Sequence, residues 1–531
     1  MDTNANNNRE SFEDQQVIFV DTHLIQKAVE GLQRAREEFQ TLLEQAEGGD
    51  ASVYYDLGVR YTEGDGTDKD PAQAARWFAL ASEDGDLRAT DLLGRCYQSG
   101  AGVEKDEARA AELFQQAAEQ DYAPAQCDLG LSYENGSGVE KDEARAAECY
   151  LQAAEQDYAP AQTNLAVCYF NGIGVDKDVE CAHQWLEKAA EQKFPRALNI
   201  LGDCHWDGTG VEQDRGEAAR LYRQAAEQDY PPALCNLGLC YEHGDGVEQD
   251  KAKAVECYRK AAEQDYAPAM CNLAVCYEEG IGIPPDPRQA VELYRRAAEY
   301  GSTRAQRLLA RCCDRGIGMD RRDPAQAVEW LRMAALQGDT VCQTLLAKHY
   351  EFGDGVEQDP ELSVRWYRRA AEGGEPEAKC CLGWLMEHGK WADRDPEGAV
   401  ELYRQAAEAG SERGLLLLAG CLLSGVGTQA APEQAVRCYE KGAEAGSAQA
   451  MCNLGWCYET GNGVEQSWEQ AVLWYRRSAE EGDARAMCNL GWCYESGNGV
   501  EQSWEEAVHW YRRGAEGGDS QAMCNLGWCY E

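Results

Sequence analysis

The chain has 531 residues, with 94 acidic against 50 basic side chains and a formal net charge of −44. Nucleic acids and anionic membrane surfaces are held mainly by cationic side chains that displace counterions, so both are excluded as direct partners. The length exceeds what one hydrophobic core serves, which leaves several domains or a repeat array.

In chain order, residues 1–16 are polar and acidic with a single arginine, Arg9, and read as disordered. Residues 17–20 are too short for the apolar core of a secretory signal. No run reaches the roughly 18 apolar residues of a spanning helix. The longest, residues 415–423, is broken by Gly420. A cytoplasmic protein is therefore expected. Residues 1–21 are assigned to a disordered or capping segment and 22–50 to an N-terminal capping helix. Residues 51–531 form a repeat array.

The array announces itself through leucines in one local context, at Leu57, Leu93, Leu129, Leu165, Leu201, Leu237, Leu273 and Leu309, each 36 residues after the last. One extra residue between Arg315 and Ala325 shifts the series to Leu346, Leu382, Leu418, Leu454, Leu490 and Leu526. Around Leu454, the residues Ala450, Leu454 and Tyr458 are four apart and share one helix face, with Gly455 beside them allowing close approach. This is helix A, ended by Gly461 and Gly463. Helix B follows, with its own apolar residues Ala471, Trp474, Tyr475 and Ala479. Its start is marked by a capping aspartate (Asp70, Asp106, Asp142, Asp178, Asp214, Asp250, Asp286), often by a proline next to it, and by capping boxes at Ser467 with Gln470 and Ser503 with Glu506.

The run Ala-x3-Leu-Gly-x2-Tyr-x2-Gly-x-Gly-Val, followed by Ala-x2-Trp-Tyr-x2-Ala-Ala-Glu with Ser363 in place of the first Ala at residues 363–372, resembles the Sel-1-like repeats, relatives of the tetratricopeptide repeats. The resemblance covers residues 51–531, thirteen full units plus one more helix A. It implies an all-α fold, with antiparallel helix pairs stacked into a right-handed superhelix around a concave groove, and it implies no single activity. Residues 24–46 read as an isolated helix B that covers the first repeat. Three departures stand out: Gly389, Lys390 and Trp391 lack the second glycine, the insertion at Arg321 and Arg322 lengthens a loop, and residues 415–418 make helix A unusually apolar. A bend or a partner contact is expected between about residues 315 and 431. The array stops after a helix A, with Met523, Leu526, Trp528 and Tyr530 lacking a polar cap. A piece of a longer protein explains this better than an exposed binding face.

Twenty-four cysteines fall mainly two residues before and three after the repeat leucine. Within one helix those slots lie about 140° apart, so two thiols cannot share one ion. Helices stacked about 10 Å apart also keep equivalent cysteines beyond the roughly 7 Å disulfide limit. Small apolar filler is the expected role. A secreted branch of the family carries repeat-linking disulfides and is associated with binding or hydrolysing β-lactams. The corresponding helix B positions here are Ala118, Ala154 and Ala262, which does not support that resemblance. The seven histidines are scattered, and no metalloprotease helix, nucleophile elbow or phosphate loop occurs. No enzyme, no metal site and no cofactor is expected.

In repeats of this geometry, the helix A slots at −5, −2, −1, +2 and +5 from the leucine face the groove. Slot +2 holds Trp384, Trp456, Trp492 and Trp528. These are aromatic anchors for a partner, or packing against the neighbouring helix A. Slot +5 holds Glu134, Glu242, Glu278, Glu351, Glu387, Glu459, Glu495 and Glu531. Carboxylates near a helix C-terminus oppose its dipole, so they read as an acidic binding stripe or as a solvated face. Slot −1 holds Asn164, Asn236, Asn272, Asn453, Asn489 and Asn525. An amide can grip an extended peptide backbone, as in some tetratricopeptide proteins, or can link neighbouring helices. The leading expectation is a non-catalytic scaffold that binds a basic or neutral protein segment in the groove, with the likeliest site from residue 448 onward, including Glu459 and Glu495. The alternatives are a β-lactam hydrolase and a structural spacer within a larger protein.

Overall fold

A computed structural model describes residues 22–530, with the side chains of 22–26 and 28 outside that description. The disorder expected for residues 1–16 and the segment assigned to 1–21 lie outside the described residues, as does Glu531. The described residues form 28 α-helices and one short 3-10 turn, with no strand among them. After the N-terminal helix Thr22–Glu47, they alternate as helix A and helix B, mostly thirteen residues long. The architecture is an all-α solenoid.

Each helix starts and stops where local chemistry dictates. Asp70, Asp106, Asp142, Asp178, Asp214, Asp286, Asp323, Asp359 and Asp395 all cap a helix B by accepting from its first amides. Asp250 accepts from the Lys253 amide. Ser467 and Ser503 accept from the amides of Gln470 and Glu506, which is only half of a capping box. The serine amides donate instead to the carbonyls of Tyr458 and Tyr494. That bond closes the A–B loop throughout the array, as in Asp70 to Tyr61 and Asp106 to Tyr97. The loop with the extra residue keeps it, Asp323 donating to Cys313, so the insertion is absorbed within the turn.

The two loop glycines do different work. Gly461, at φ +74, ends helix A in the left-handed region. Gly463 is needed for close approach as well: a Cβ there would lie 2.4 Å from the Pro432 carbonyl oxygen at the start of the preceding helix B. Where the second glycine is lost, Trp391 takes its left-handed backbone at φ +62, a strained conformation for an indole-bearing residue. Helix Thr22–Glu47 meets the first repeat in the same manner, since a Cβ on Gly66 would lie 2.2 Å from the Ala35 carbonyl oxygen. Phe39 packs edge-on against Tyr61 with ring centroids 5.2 Å apart.

Core clusters join one repeat to the next within a unit. Tyr475 of helix B is fully buried and packs with Leu490 and Cys493 of the next helix A and with Cys452 of its own repeat. Gly455 leaves room for it, because a Cβ there would meet the Tyr475 ring at 2.7 Å. The described residues form two compact units, up to residue 260 and from 261 onward, divided within helix Lys251–Glu263. In the first, helices from Tyr54–Glu63 to Pro231–His243 each pack on their neighbours in chain order. In the second, the same holds from Ala267–Glu279 to Ser520–Tyr530.

Candidate functional site

The glutamates at slot +5 have a structural partner. Seven fully or nearly fully buried helix B tyrosines donate their hydroxyls to them, sixteen residues on: Tyr150 to Glu134, Tyr258 to Glu242 (2.7 Å), Tyr294 to Glu278 (3.0 Å), Tyr367 to Glu351 (2.8 Å), Tyr403 to Glu387 (2.9 Å), Tyr475 to Glu459 (2.5 Å) and Tyr511 to Glu495 (2.6 Å). In the repeat at 195–230, slot +5 is Trp206, and Tyr222 turns to Asp203 at slot +2 instead, at 2.7 Å. Burial first and the facing carboxylate second hold the Tyr475 and Tyr511 hydroxyls protonated well above the usual phenol range. Each carboxylate therefore caps a buried phenol, and that of Glu278 also accepts from Arg311 of the next helix A. Any further role for Glu459 and Glu495 rests on the oxygen that their tyrosines leave unused.

The slot −1 asparagines join neighbouring helices A. Asn164 is buried; it donates to the Cys127 thiol sulfur at 3.6 Å and accepts from Arg196 at 2.6 Å. Asn236 donates to Asn199 and Asp203, both at 3.1 Å. Asn272 is buried and accepts from Arg304 at 2.9 Å. Asn453 accepts from Arg485 at 3.0 Å. Asn489 and Asn525 donate to the sulfurs of Cys452 and Cys488, at 3.9 and 3.7 Å. The amides of Asn164 and Asn272 are thus sealed between repeats and are not placed to grip a peptide. Those of Asn489 and Asn525 are half-buried and border open space.

The tryptophans behave differently. Trp384 is half-buried and stacked on His388, with ring centroids 4.5 Å apart. Trp456, Trp492 and Trp528 are exposed, at 42%, 39% and 80%. Two further indoles join them from the first position of helix B, Trp468 and Trp504, a role the sequence signals only through the repeated Gln-Ser-Trp of the last two full repeats. Trp468 lies 5.5 Å from Trp492. Asn489, Trp492, Glu495, Trp504, Gln521, Asn525 and Trp528 line one cleft of about 510 Å³, with Cys488 and Cys529 at its edge. Trp384 and the asparagines of the first unit take no part in it.

One cluster has metal-ligand character. Asp314, His349 and Asp354 bring donor atoms within 4.8 Å of one another. His349 faces acceptors on both sides, Nε2 against the Asp314 carboxylate at 3.1 Å and Nδ1 against the Asp354 carbonyl at 2.7 Å. Arg322, from the lengthened loop, pairs with both aspartates. Imidazolium, guanidinium and carboxylates compensate one another, which favours a proton on each ring nitrogen over a lone pair for a metal.

All twenty-four cysteines are thiols, most of them buried. Burial pushes Cys127, Cys452 and Cys488 up to about 12, so they are poor nucleophiles and poor ligands. Among the described residues no helix is long and apolar enough to cross a membrane.

The Sel1 repeat profile matches fourteen consecutive segments, from 51–86 through 484–519 and a last partial one at 520–531. The chain belongs to the Sel1 repeat family. Among solved structures, this Sel1 repeat protein is similar to a protective antigen present in uropathogenic Escherichia coli strains that displays the SLR fold. The two are 32% identical, over 85% of this chain and 97% of that one, with a TM-score of 0.55. It is also similar to a Sel1 repeat protein from Oxalobacter formigenes, 34% identical over 46% of this chain and 96% of that one, with a TM-score of 0.42. A search of curated proteins finds no significant relative. The Sel1 and tetratricopeptide-like fold is one that serves as a scaffold for protein interactions.

Proposed function

We propose that this protein is a non-catalytic adaptor of the cytoplasm whose C-terminal repeats, residues 448–530, hold an extended, basic or neutral segment of a partner protein. The observation that carries the reading is the row of exposed indoles at Trp456, Trp492 and Trp528, repeated at the same helix position in successive modules. Rigid aromatics at the surface are what interfaces use as anchors, and nothing in the packing of the core requires these three to be indoles. Asn489, Asn525 and the oxygens of Glu459 and Glu495 that their tyrosines leave unused supply polar contacts beside them. The same stretch carries seven more acidic than basic side chains, which suits a cationic segment and disfavours nucleic acid. Affinity capture from the native cell with identification by mass spectrometry, run on the wild type and on a Trp456→Ala, Asn489→Ala, Trp492→Ala variant, tests the reading. The variant is expected to lose the specific partner while keeping its helical circular dichroism; unchanged capture refutes this site.

A further inference from the structure

The chain contains its own examples of what fits beside the slot −1 position. At slot −5 of the next repeat, four arginines reach back to it. Arg196 donates to Asn164 at 2.6 Å, Arg304 to Asn272 at 2.9 Å and Arg485 to Asn453 at 3.0 Å, while Arg413 donates to the Cys381 sulfur at 3.5 Å and to Glu377 at 2.6 Å. A guanidinium lying between successive helices A is thus a recurrent feature of the array in both units.

At Asn489 that arginine is absent, as it is at Asn236, where the corresponding residue is Pro268. The slot −5 residue of the following helix is Gln521, whose amide goes to Asn525 of its own helix at 2.9 Å. Asn489 still donates to Cys452, but among the described residues no arginine comes to its carbonyl oxygen. Here the asparagine slot opens onto a cleft lined by three tryptophans, Trp492, Trp504 and Trp528, with Glu495 beside them. Elsewhere the chain stacks guanidinium groups on its own indoles, Arg477 over Trp474 at 5.1 Å and Arg513 over Trp510 at 5.0 Å.

We infer that this cleft is a receptor for an arginine side chain of the partner segment. The proposal rests on the reading that the C-terminal repeats hold such a segment, and it names the group that is recognised. The guanidinium donates to the Asn489 carbonyl oxygen, as Arg485 does to Asn453, and to the Glu495 oxygen that Tyr511 leaves unused. Its flat face lies against the indoles. Arginine suits the site better than lysine, because a planar, weakly hydrated cation can stack and donate sideways at once, whereas an ammonium is a compact, strongly hydrated charge. The local excess of acidic side chains supplies charge complementarity.

The test fills the cleft from within. In Gln521→Arg, the new side chain repeats the internal Arg485–Asn453 arrangement and occupies the site. Fluorescein-labelled glycine-serine peptides carrying one central arginine, citrulline or lysine are titrated against the full chain by fluorescence anisotropy, up to about 1 mM protein. The arginine peptide is expected to bind about tenfold more tightly than the citrulline peptide, with lysine between them, and Gln521→Arg is expected to remove that advantage without changing circular dichroism or Tm. Equal binding of arginine and citrulline peptides, no binding of the arginine peptide at all, or an advantage that survives Gln521→Arg each overturns the proposal. Light scattering on the same samples covers another occupant: a dimer that Gln521→Arg dissociates would place an arginine of a second copy in the cleft and overturn assignment to a partner. The broader reading fails separately, through unchanged partner capture by the triple alanine variant. If that capture is lost while the peptides show no arginine preference, the groove stands and the arginine receptor falls.

Discussion

The Tyr475–Glu459 pair shows what one residue can do that its helix position does not reveal. Read along helix A alone, Glu459 is a carboxylate at the unfavourable end of a dipole, and no local reason holds it there. The reason lies in helix B: a buried phenol needs an acceptor, and an unmade hydrogen bond in a packed core costs more than the dipole term. The sequence does contain the signal, a Glu-to-Tyr offset of sixteen residues repeated seven times, but periodicity arguments examine one helix at a time and pass over it. The asparagines divide for a similar reason. Asn164 and Asn272 are buried and accept from an arginine 32 positions later, Arg196 and Arg304, whereas the residue 32 positions after Asn489 is Gln521. The shared slot of the tryptophans was legible, but not that Trp384 stacks on His388 while Trp456, Trp492 and Trp528 stay exposed, because that depends on tertiary neighbours. Tyr475→Phe removes the donor while preserving the ring, and it is expected to cost about 1 kcal/mol, read as a lowered urea midpoint at unchanged helicity. An unchanged midpoint would mean that Glu459 is indifferent to the phenol.

At the level of helices and loops, starts and stops were legible almost throughout, since Asp, Ser, Pro and Gly act through the local backbone. The closing bond from the cap amide to the helix A carbonyl was not, because it is made by main-chain atoms that carry no sequence label. The lengthened loop is the clearest case of tertiary consequence: its extra residue leaves the closure intact and delivers Arg322 to Asp314 and Asp354 beside His349. Burial of His349 favours the neutral ring, but the Asp314 hydrogen bond, the Asp354 carbonyl and the charges of both aspartates outweigh it and raise its pKa above the ordinary 6.5. The proton is then held more tightly in the folded than in the unfolded chain. The resulting stabilisation is complete below the unfolded value of 6.5 and is lost as pH rises through the folded value. A His349→Gln variant is expected to be less stable than wild type at about pH 5.5, with the difference shrinking toward about pH 8.5, as followed by urea unfolding across that range. A difference that is constant or grows with pH would show that the ring is neutral in the fold.

For the molecule as a whole, the 36-residue period was enough to give the all-α solenoid, the repeat number and the packing of consecutive helices, because each module buries its apolar face only against its neighbours. The division at 260/261 carries no such mark, since helix Lys251–Glu263 has the same pattern as every other helix B. Under the proposed function, the same one-dimensional logic confines binding to residues 448–530 and requires no contact from the first unit. Hydrogen–deuterium exchange on the full chain, alone and with its captured partner, measures this directly. New protection is expected in helices Ala448–Thr460, Ala484–Ser496 and Ser520–Tyr530, with residues 54–243 unchanged. Protection that appears across residues 54–243 while those three helices exchange as before would contradict the account.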